Sequence, residues 1–499
     1  MKQTLKTLIV AALMLGLSAC GQKPQVKYVF YLIGDGMGIN EVIGTELYNQ
    51  GTGYGPEEIN FAHFPVRGFV TTVSASSLVT DSAAGGTALS SGVKTYNSAI
   101  GVNADTIAVS SVADWARAAG YGVGIATSVG INHATPAGFM AHTEKRRNYE
   151  TIATQYIETP VDFAAGAGII TEKGTGHDGA YFENLAREAG ITVLHGPSFD
   201  GVASVEGRVL CLSGKDEVDL PYAIDRKEDD TTLSDFVQAG IDYLDARFGK
   251  KGFFFMIEGG KIDYGGHSDD AAACFQELTD FASAIDVVLA FYEKHPDETL
   301  IVITADHETG GLMLGAGQYE MHPELLAGQK ASASVLTELF REEFFPEDKP
   351  YKAPSWEQVK AFFAKHLGLW DSVPVSARSE AGLKDIYEQT FGKGGNRNLE
   401  TANLYSVNSK MVSEAVIYLD KAAGYQWSYG SHSGSPVGLY VKGKGQEAFV
   451  GIRDNTEIAP TIAVLAGYKR ADKKEGTTDS RPPIWLAEVM EHLQINFWK

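Results

Sequence analysis

The sequence predicts an α/β fold: a mostly parallel central sheet with helices on both faces, and a helical insertion late in the chain. Three observations predict it. Short apolar runs alternate with segments of helical period along most of the chain. Those runs are continuously apolar rather than alternating, as strands buried on both faces are. The alternation breaks only between Leu312 and Trp427, where helical segments follow one another, and it resumes afterwards.

Gln25–Ile33 is the first apolar run and ends at Gly34-Asp35-Gly36-Met37-Gly38. It predicts a buried strand, a tight loop and a helix from about Asn40. A dinucleotide-binding turn is excluded by spacing, because its third glycine would fall at Ile39. Thr80–Gly92 is rich in small residues and predicts a helix that begins at or near Ser82 and stops at Gly92. A hydroxyl at a helix start lies in the field of the first backbone N–H groups and suits attack on a phosphoryl group. The plainer alternative is a serine N-cap.

Further on, Tyr121–Thr127, Val161–Ala165, Ile191–Leu194 and Val209–Leu212 read as strands. Tyr149–Ile157, Gly179–Ala189 and Leu233–Phe248 read as helices. Past the Tyr121–Thr127 strand, Thr135 offers a hard oxygen ligand, and Arg146 or Arg147 offers a guanidinium fork for a phosphate. The strand Gly252–Ile257 runs straight into Glu258, and Asp263 and His267 follow at i, i+4 spacing, which puts both on one helix face. A long helix over about Asp270–Phe291 precedes the strand Thr299–Thr304, which ends at Ala305-Asp306-His307. The insertion reads as helices over Pro323–Phe345, Ser355–Leu367, Ser379–Phe391 and Leu399–Ala423. His432 lies in a loop of small residues before the strand Val437–Val441. A hydrolase elbow is excluded there, since Gly-x-Ser-x-Gly would need serine at 432. Glu457–Ala466 and Pro483–Leu493 read as closing helices.

Composition narrows the function. The 499 residues carry a net charge of −21 with a pI near 5.0. Such a surface disfavours nucleic-acid binding, which needs basic patches. An anionic substrate would therefore need strong local positive charge, such as metal ions. Lys2, Lys6 and the apolar stretch Leu8–Leu17 before Cys20 resemble a bacterial lipoprotein signal. The expectation is a leader over 1–19, a lipid anchor on Cys20, export to the periplasm or outer membrane, and a mature domain over 20–499 with an insertion at about 312–427. Cys211 and Cys274 are left, and their pairing is open. There is no Cys-x-x-Cys, so any metal site must use Asp, Glu and His.

The residues gathered at strand ends and loops are Asp35, Ser82, Thr135, Glu258, Asp263, His267, Asp306, His307 and His432. Three histidines with several carboxylates fit divalent ions, first zinc and then magnesium. Two zinc ions about 4 Å apart suit phosphoryl transfer, clamping the attacking and leaving oxygens.

At these motifs the chain resembles the alkaline phosphatases: Gly34-Asp35-Gly36-Met37-Gly38, Thr80-Asp81-Ser82-Ala83-Ala84, His133-Ala134-Thr135-Pro136, Ala141-His142-Thr143 with the arginines, Glu258 to His267, Thr304-Ala305-Asp306-His307 and His432-Ser433-Gly434. The resemblance implies an alkaline-phosphatase-like α/β sandwich that hydrolyses small phosphomonoesters. Ser82 would be the phosphorylated nucleophile and Arg146 the phosphate clamp. One zinc would be held by Asp263, His267 and His432, a second by Asp35, Asp306 and His307 with Ser82, and a magnesium ion by Asp35, Thr135 and Glu258. Asp81, His133 and Tyr264 would line the substrate or the metal surroundings. His133 and Tyr264 depart from the Asp and Lys of one bacterial type and from the paired histidines of animal members, which leaves the third metal's identity open. Family members are commonly homodimers. The alternatives are a phosphodiesterase or mutase of the same superfamily, or a non-catalytic metal- or phosphate-binding lipoprotein.

Overall fold

A computed structural model describes residues 26–214, 218–315, 319–346 and 351–469. The expected leader, Cys20 and the helix Pro483–Leu493 lie outside the described residues.

Ten strands form one sheet: β1 Tyr28–Gly34, β2 Val66–Thr71, β3 Gly122–Thr127, β4 Phe163–Gly166, β5 Thr192–His195, β6 Val209–Leu212, β7 Phe253–Gly259, β8 Thr299–Thr304, β9 Val437–Gly443 and β10 Gly451–Asp454. Their order across the sheet is β10-β2-β9-β8-β1-β7-β3-β4-β6-β5. Only β9 runs antiparallel to its neighbours, β8 and β2. The continuous apolar character of β1, β3, β7 and β8 follows from their position, since every residue of these four strands is buried.

Successive side chains of β1 point to opposite faces and meet opposite helix layers. Phe30 packs edge-on against Phe291, in the helix Ala271–Tyr292. Next to it, the Tyr31 hydroxyl donates to the Leu89 carbonyl, in the helix Ser82–Ser91. Burying side chains of this size contributes roughly 1.5–3 kcal/mol each, so the two layers are held to the sheet strand by strand.

Parallel pairing also levels the carboxyl ends of the four central strands. Ile33 of β1 stands opposite both Glu258 of β7 and Thr304 of β8. Thr127, the last residue of β3, also stands opposite Glu258. The loops that leave these strands therefore open at one height on one edge of the sheet, where α/β proteins bind ligands.

Several expectations need correction. Leu399–Ala423 is not one helix: Glu400–Ala402 and Val407–Ser409 pair as an antiparallel hairpin, and the helix is Lys410–Ala423. The cause is Asn403, whose side-chain oxygen accepts from the backbone N–H of Tyr405 and Ser406 and closes a turn that a helix cannot contain. Pro323–Phe345 is split into a 3₁₀ segment, Pro323–Gly328, and a helix Ala333–Phe344 started by a Ser332 cap. The strands β2 and β10, near one edge of the sheet, have no counterpart in the sequence reading. Among the described residues, the stretch 312–427 adds no strand to the main sheet.

Cys211 and Cys274 are buried and unpaired, and burial pushes the Cys211 thiol up to about 12. Reducing agent is therefore expected to leave the melting temperature unchanged. A thiol titration of the native protein should detect no cysteine other than Cys20 until denaturant is added. Protection lost on adding dithiothreitol would show a bridge instead.

Candidate metal centre

The site is built on the levelled strand edge. Asp35 follows β1, Glu258 sits at the end of β7, and Asp306 and His307 follow β8. The short helix Lys261–His267 carries Asp263, Tyr264 and His267. Glu308–Thr309 pairs antiparallel with His432–Ser433, so Thr309 stands opposite His432 and a loop distant in sequence is fixed beside His307. Gly36 allows the approach. Its φ of +72° is in the left-handed region, and a Cβ there would lie 2.7 Å from the Asp263 Cα.

Ser82 is the first residue of its helix, and the N-cap is Asp81 rather than Ser82. Asp81 Oδ1 accepts from the Ala84 N–H at 3.0 Å. Gly85 and Gly86 let this helix lie against the site. A Cβ on Gly85 would come within 3.0 Å of Asp306, and one on Gly86 within 3.2 Å of the Thr135 Cα. Glycine inside a helix costs about 1 kcal/mol against alanine, which here is offset by close approach.

Ser82 Oγ lies 3.2 Å from His307 Nε2 and 3.4 Å from Arg146 Nη1. His307 Nε2 is also 3.3 Å from Asp306 Oδ2 and 3.5 Å from Asp35 Oδ1. The four residues expected around one ion thus converge on one nitrogen. A second convergence joins Asp263, His267 and His432, and a third joins Asp35, His133 and Glu258. Asp263 also reaches Asp35 and His307, so it lies between the first two groups. Thr135 Oγ1 donates to Asp35 Oδ2 at 3.4 Å, on the side of the third group. Of the two arginines, Arg146 enters the site and Arg147 is exposed.

The imidazoles are oriented for metal. His267 Nδ1 lies 3.0 Å from the Gly430 carbonyl, and His432 Nδ1 lies 2.9 Å from the Thr80 carbonyl. A carbonyl only accepts, so each Nδ1 carries a proton and each Nε2 is the nitrogen left for a metal. Those Nε2 atoms face each other at 3.1 Å. Burial pushes the His307 and His432 pKa down and keeps these rings neutral.

The carboxylates also call for cations. Asp35, Glu258, Asp263 and Asp306 are fully buried. Asp35 Oδ1, Glu258 Oε1, Asp263 Oδ2 and Asp306 Oδ2 have no hydrogen-bond partner. Burial, then Asp306, Asp263 and Glu258, raises the Asp35 pKa well above the carboxylate range. Burial raises Asp306 likewise and moves Glu258 to about 7. Divalent ions fit this set: they remove the repulsion and fill the orphaned lone pairs.

Two supporting groups were illegible in the sequence. The hydroxyls of Thr127 and Thr309 donate to Glu258 and Asp263 and fix the orientation of these carboxylates. Tyr405, in the 400–409 hairpin, accepts from Arg146 Nη2 at 3.3 Å. Its only sequence signal is Asn403-Leu404-Tyr405-Ser406, an Asn turn between β-branched Thr401 and Val407.

Comparison with known proteins decides the family. The alkaline phosphatase family model matches residues 26–163 and 206–468. The chain belongs to the alkaline phosphatase family. It is a phosphatase, a hydrolase of phosphomonoesters. It is similar to alkaline phosphatase 4 of Bacillus subtilis, with 30% identity over 454 residues and 88% of each chain covered. Among solved structures it is similar to the cold-active alkaline phosphatase of a psychrophilic Shewanella, with a TM-score of 0.71 and 30% identity over 88% of this chain and 99% of that one. It is also similar to a form of the TAB5 alkaline phosphatase, from an Antarctic bacterium, in which one histidine is replaced by glutamate and magnesium is bound at the M3 site. That likeness has a TM-score of 0.62 and 26% identity over 90% of this chain and 100% of that one. The matched range of the family model runs through the expected insertion, 312–427, and stops over 164–205.

The pKa directions give a sign for metal removal in this alkaline phosphatase. Glu258 titrates at 4.5 when unfolded and at about 7 in the metal-free fold. Between those values the folded state binds more protons at Glu258, so the Glu258 contribution to metal-free stability is present below pH 4.5 and is lost as pH rises to 7, while His307 and His432, whose pKa burial pushes down, contribute in the opposite sense. The loss from Glu258 alone is roughly 3 kcal/mol, and Asp35 and Asp306 act in the same direction. Metal-loaded protein should show the opposite slope, because its ligands bind as anions. Denaturant melts of chelator-treated wild type and Glu258→Gln across this window isolate the Glu258 share. Wild type that loses no stability relative to Glu258→Gln as the pH is raised would contradict the reading.

Proposed function

We propose that the protein hydrolyses phosphomonoesters through a phosphoserine formed on Ser82, at a site of two zinc ions and one magnesium ion. The observation that carries this is the position of Ser82 Oγ, at a helix start and between His307 Nε2 at 3.2 Å and Arg146 Nη1 at 3.4 Å. Asp263, His267 and His432 would hold one zinc. Asp35, Asp306 and His307, with Ser82, would hold the other. Asp35, Thr135 and Glu258 would hold the magnesium, with His133 beside it. When bound, these ions supply Lewis acidity that lowers the serine pKa and offsets the charge of the phosphoryl group.

The chain's own residues supply the rest. Asp81 Oδ2 accepts from Arg146 Nη1 at 3.4 Å, which holds the guanidinium over the end of the Ser82 helix. The Arg146 backbone is fixed from below, since its N–H donates to the Ser98 carbonyl at 2.7 Å while the Ser98 N–H donates to Asp81 Oδ2 at 2.9 Å. The Nη1 hydrogen that faces Ser82 can then be donated to a phosphoryl oxygen. Ser82 Oγ, its proton released to solvent, attacks phosphorus as the bond to the ester oxygen breaks, and the alcohol leaves with a proton from water. Water then attacks phosphorus, the bond to Ser82 Oγ breaks, one water proton restores the serine hydroxyl, and inorganic phosphate departs.

Each displacement inverts phosphorus, so the overall reaction should proceed with retention, and an acceptor alcohol should compete with water. Ser82→Ala should lower kcat by about three orders of magnitude or more while metal content stays near wild type. Net inversion with a chiral phosphomonoester would replace this scheme with direct attack by water.

We also propose an exported, lipid-anchored protein, a reading supported by the lysines and apolar run of the leader and by the Cys20 that follows it. Labelled fatty acid should be incorporated by the wild type and not by Cys20→Ser. Labelling that survives the substitution would reject the anchor.

A further inference from the structure

Arg146 has one partner that lies outside the family motifs. Its Nη2 lies 3.2 Å from His133 Nε2 and 3.3 Å from Tyr405 Oη. Tyr405 reaches it from the 400–409 hairpin, more than 250 residues later in the chain. We propose that Tyr405 is a positioning residue for the phosphate clamp: its hydroxyl fixes the Arg146 guanidinium in the orientation that receives phosphate. The proposal rests on the reading of Arg146 as that clamp.

Three features make the contact a built one. The Tyr405 ring stacks on Tyr264 with centroids 3.7 Å apart and planes 15° apart. It also meets His267 edge-on at 5.3 Å. These contacts fix where the phenol points. Asn403 then ties the hairpin to the metal helix. Its Nδ2 donates to the His267 carbonyl at 3.2 Å and lies 3.1 Å from Ser268 Oγ, while its Oδ1 accepts from Tyr405 N–H at 2.8 Å. One asparagine thus joins the backbone of a metal-ligand residue to the backbone of Tyr405.

The chemistry assigns the direction of the bond. The guanidinium only donates, so the phenol oxygen accepts from Nη2. A guanidinium with free rotation would lose side-chain entropy each time phosphate arrives. Held by Tyr405 on one side and Asp81 on the other, it is oriented before binding, and phosphate meets a fixed fork. Phenylalanine would keep the stack on Tyr264 and remove only the acceptor.

Tyr405→Phe is the test, read as the inhibition constant of inorganic phosphate on the metal-loaded enzyme. The constant should rise roughly five- to twentyfold, the size expected for one hydrogen bond to a charged group. KM should rise with it more than kcat falls, and metal content and melting temperature should stay at wild-type values. In an Arg146→Ala background, Tyr405→Phe should change the constant less than about twofold, because coupled residues are not additive. If Arg146→Ala weakens phosphate binding and Tyr405→Phe does not, the positioning role is wrong and the clamp stands. If Tyr405→Phe weakens binding equally in both backgrounds, Tyr405 acts on phosphate without Arg146, and the proposal is again overturned. If Arg146→Ala leaves the constant unchanged, the clamp reading itself fails.

Discussion

Two imidazole nitrogens that face each other at 3.1 Å set the terms for this structure. His267 and His432 both donate from the far nitrogen, each pinned by a backbone carbonyl. Two facing acceptor nitrogens repel unless a cation, proton or metal, lies between them. The buried carboxylates beside them pose the same demand at greater strength. Two unit charges 4 Å apart interact by about 4 kcal/mol at an effective dielectric of 20, and four such groups share one dry space. The fold brings together what repels, and divalent ions make the assembly favourable. Much of the architecture can be understood as what is needed to hold those donors in place.

The sheet does most of that holding. Parallel pairing levels the ends of β3, β7, β1 and β8, so residues far apart in sequence leave the sheet at one height. Around the edge, glycines admit close backbone contact, and threonine hydroxyls take up part of the carboxylates' hydrogen-bonding capacity. The antiparallel strand β9 brings the chain back so that the preceding loop can add His432. The side around Ser82 is made separately, by one helix start and an arginine tied to it through Asp81 and Ser98.

The sequence made most of this legible because the buried strands are uninterrupted apolar runs and their ends carry the clustered carboxylates and histidine. Asp35, Glu258, Asp306 and His307 could be picked out by position alone, and Asp263 and His267 by helical spacing. The helix at Ser82 was legible from its small residues and its Gly92 stop, though the cap turned out to be Asp81. What was illegible depended on tertiary contact. Leu399–Ala423 has enough helix formers to read as one helix, and only the Asn403 side chain diverts its first part into a hairpin. Tyr405 could not be singled out because nothing local distinguishes a tyrosine that packs on a surface from one that enters a site. The strands β2 and β10 are short and carry exposed residues, so they lack the signature of the central strands.

The hydrogen bond from His432 to the Thr80 carbonyl joins residues 352 apart in the chain. It implies an order of events during folding. No ion can find its full set of donors until segments from both ends of the domain have met, so the sheet must close before the centre exists. Loop-closure entropy makes such contacts late ones. A partly folded chain would present scattered aspartates and histidines of ordinary affinity, and the tight centre would arise all at once. Metal capture is then the final, locking step of folding and not its seed, which distinguishes this domain from small zinc modules that fold around their ion.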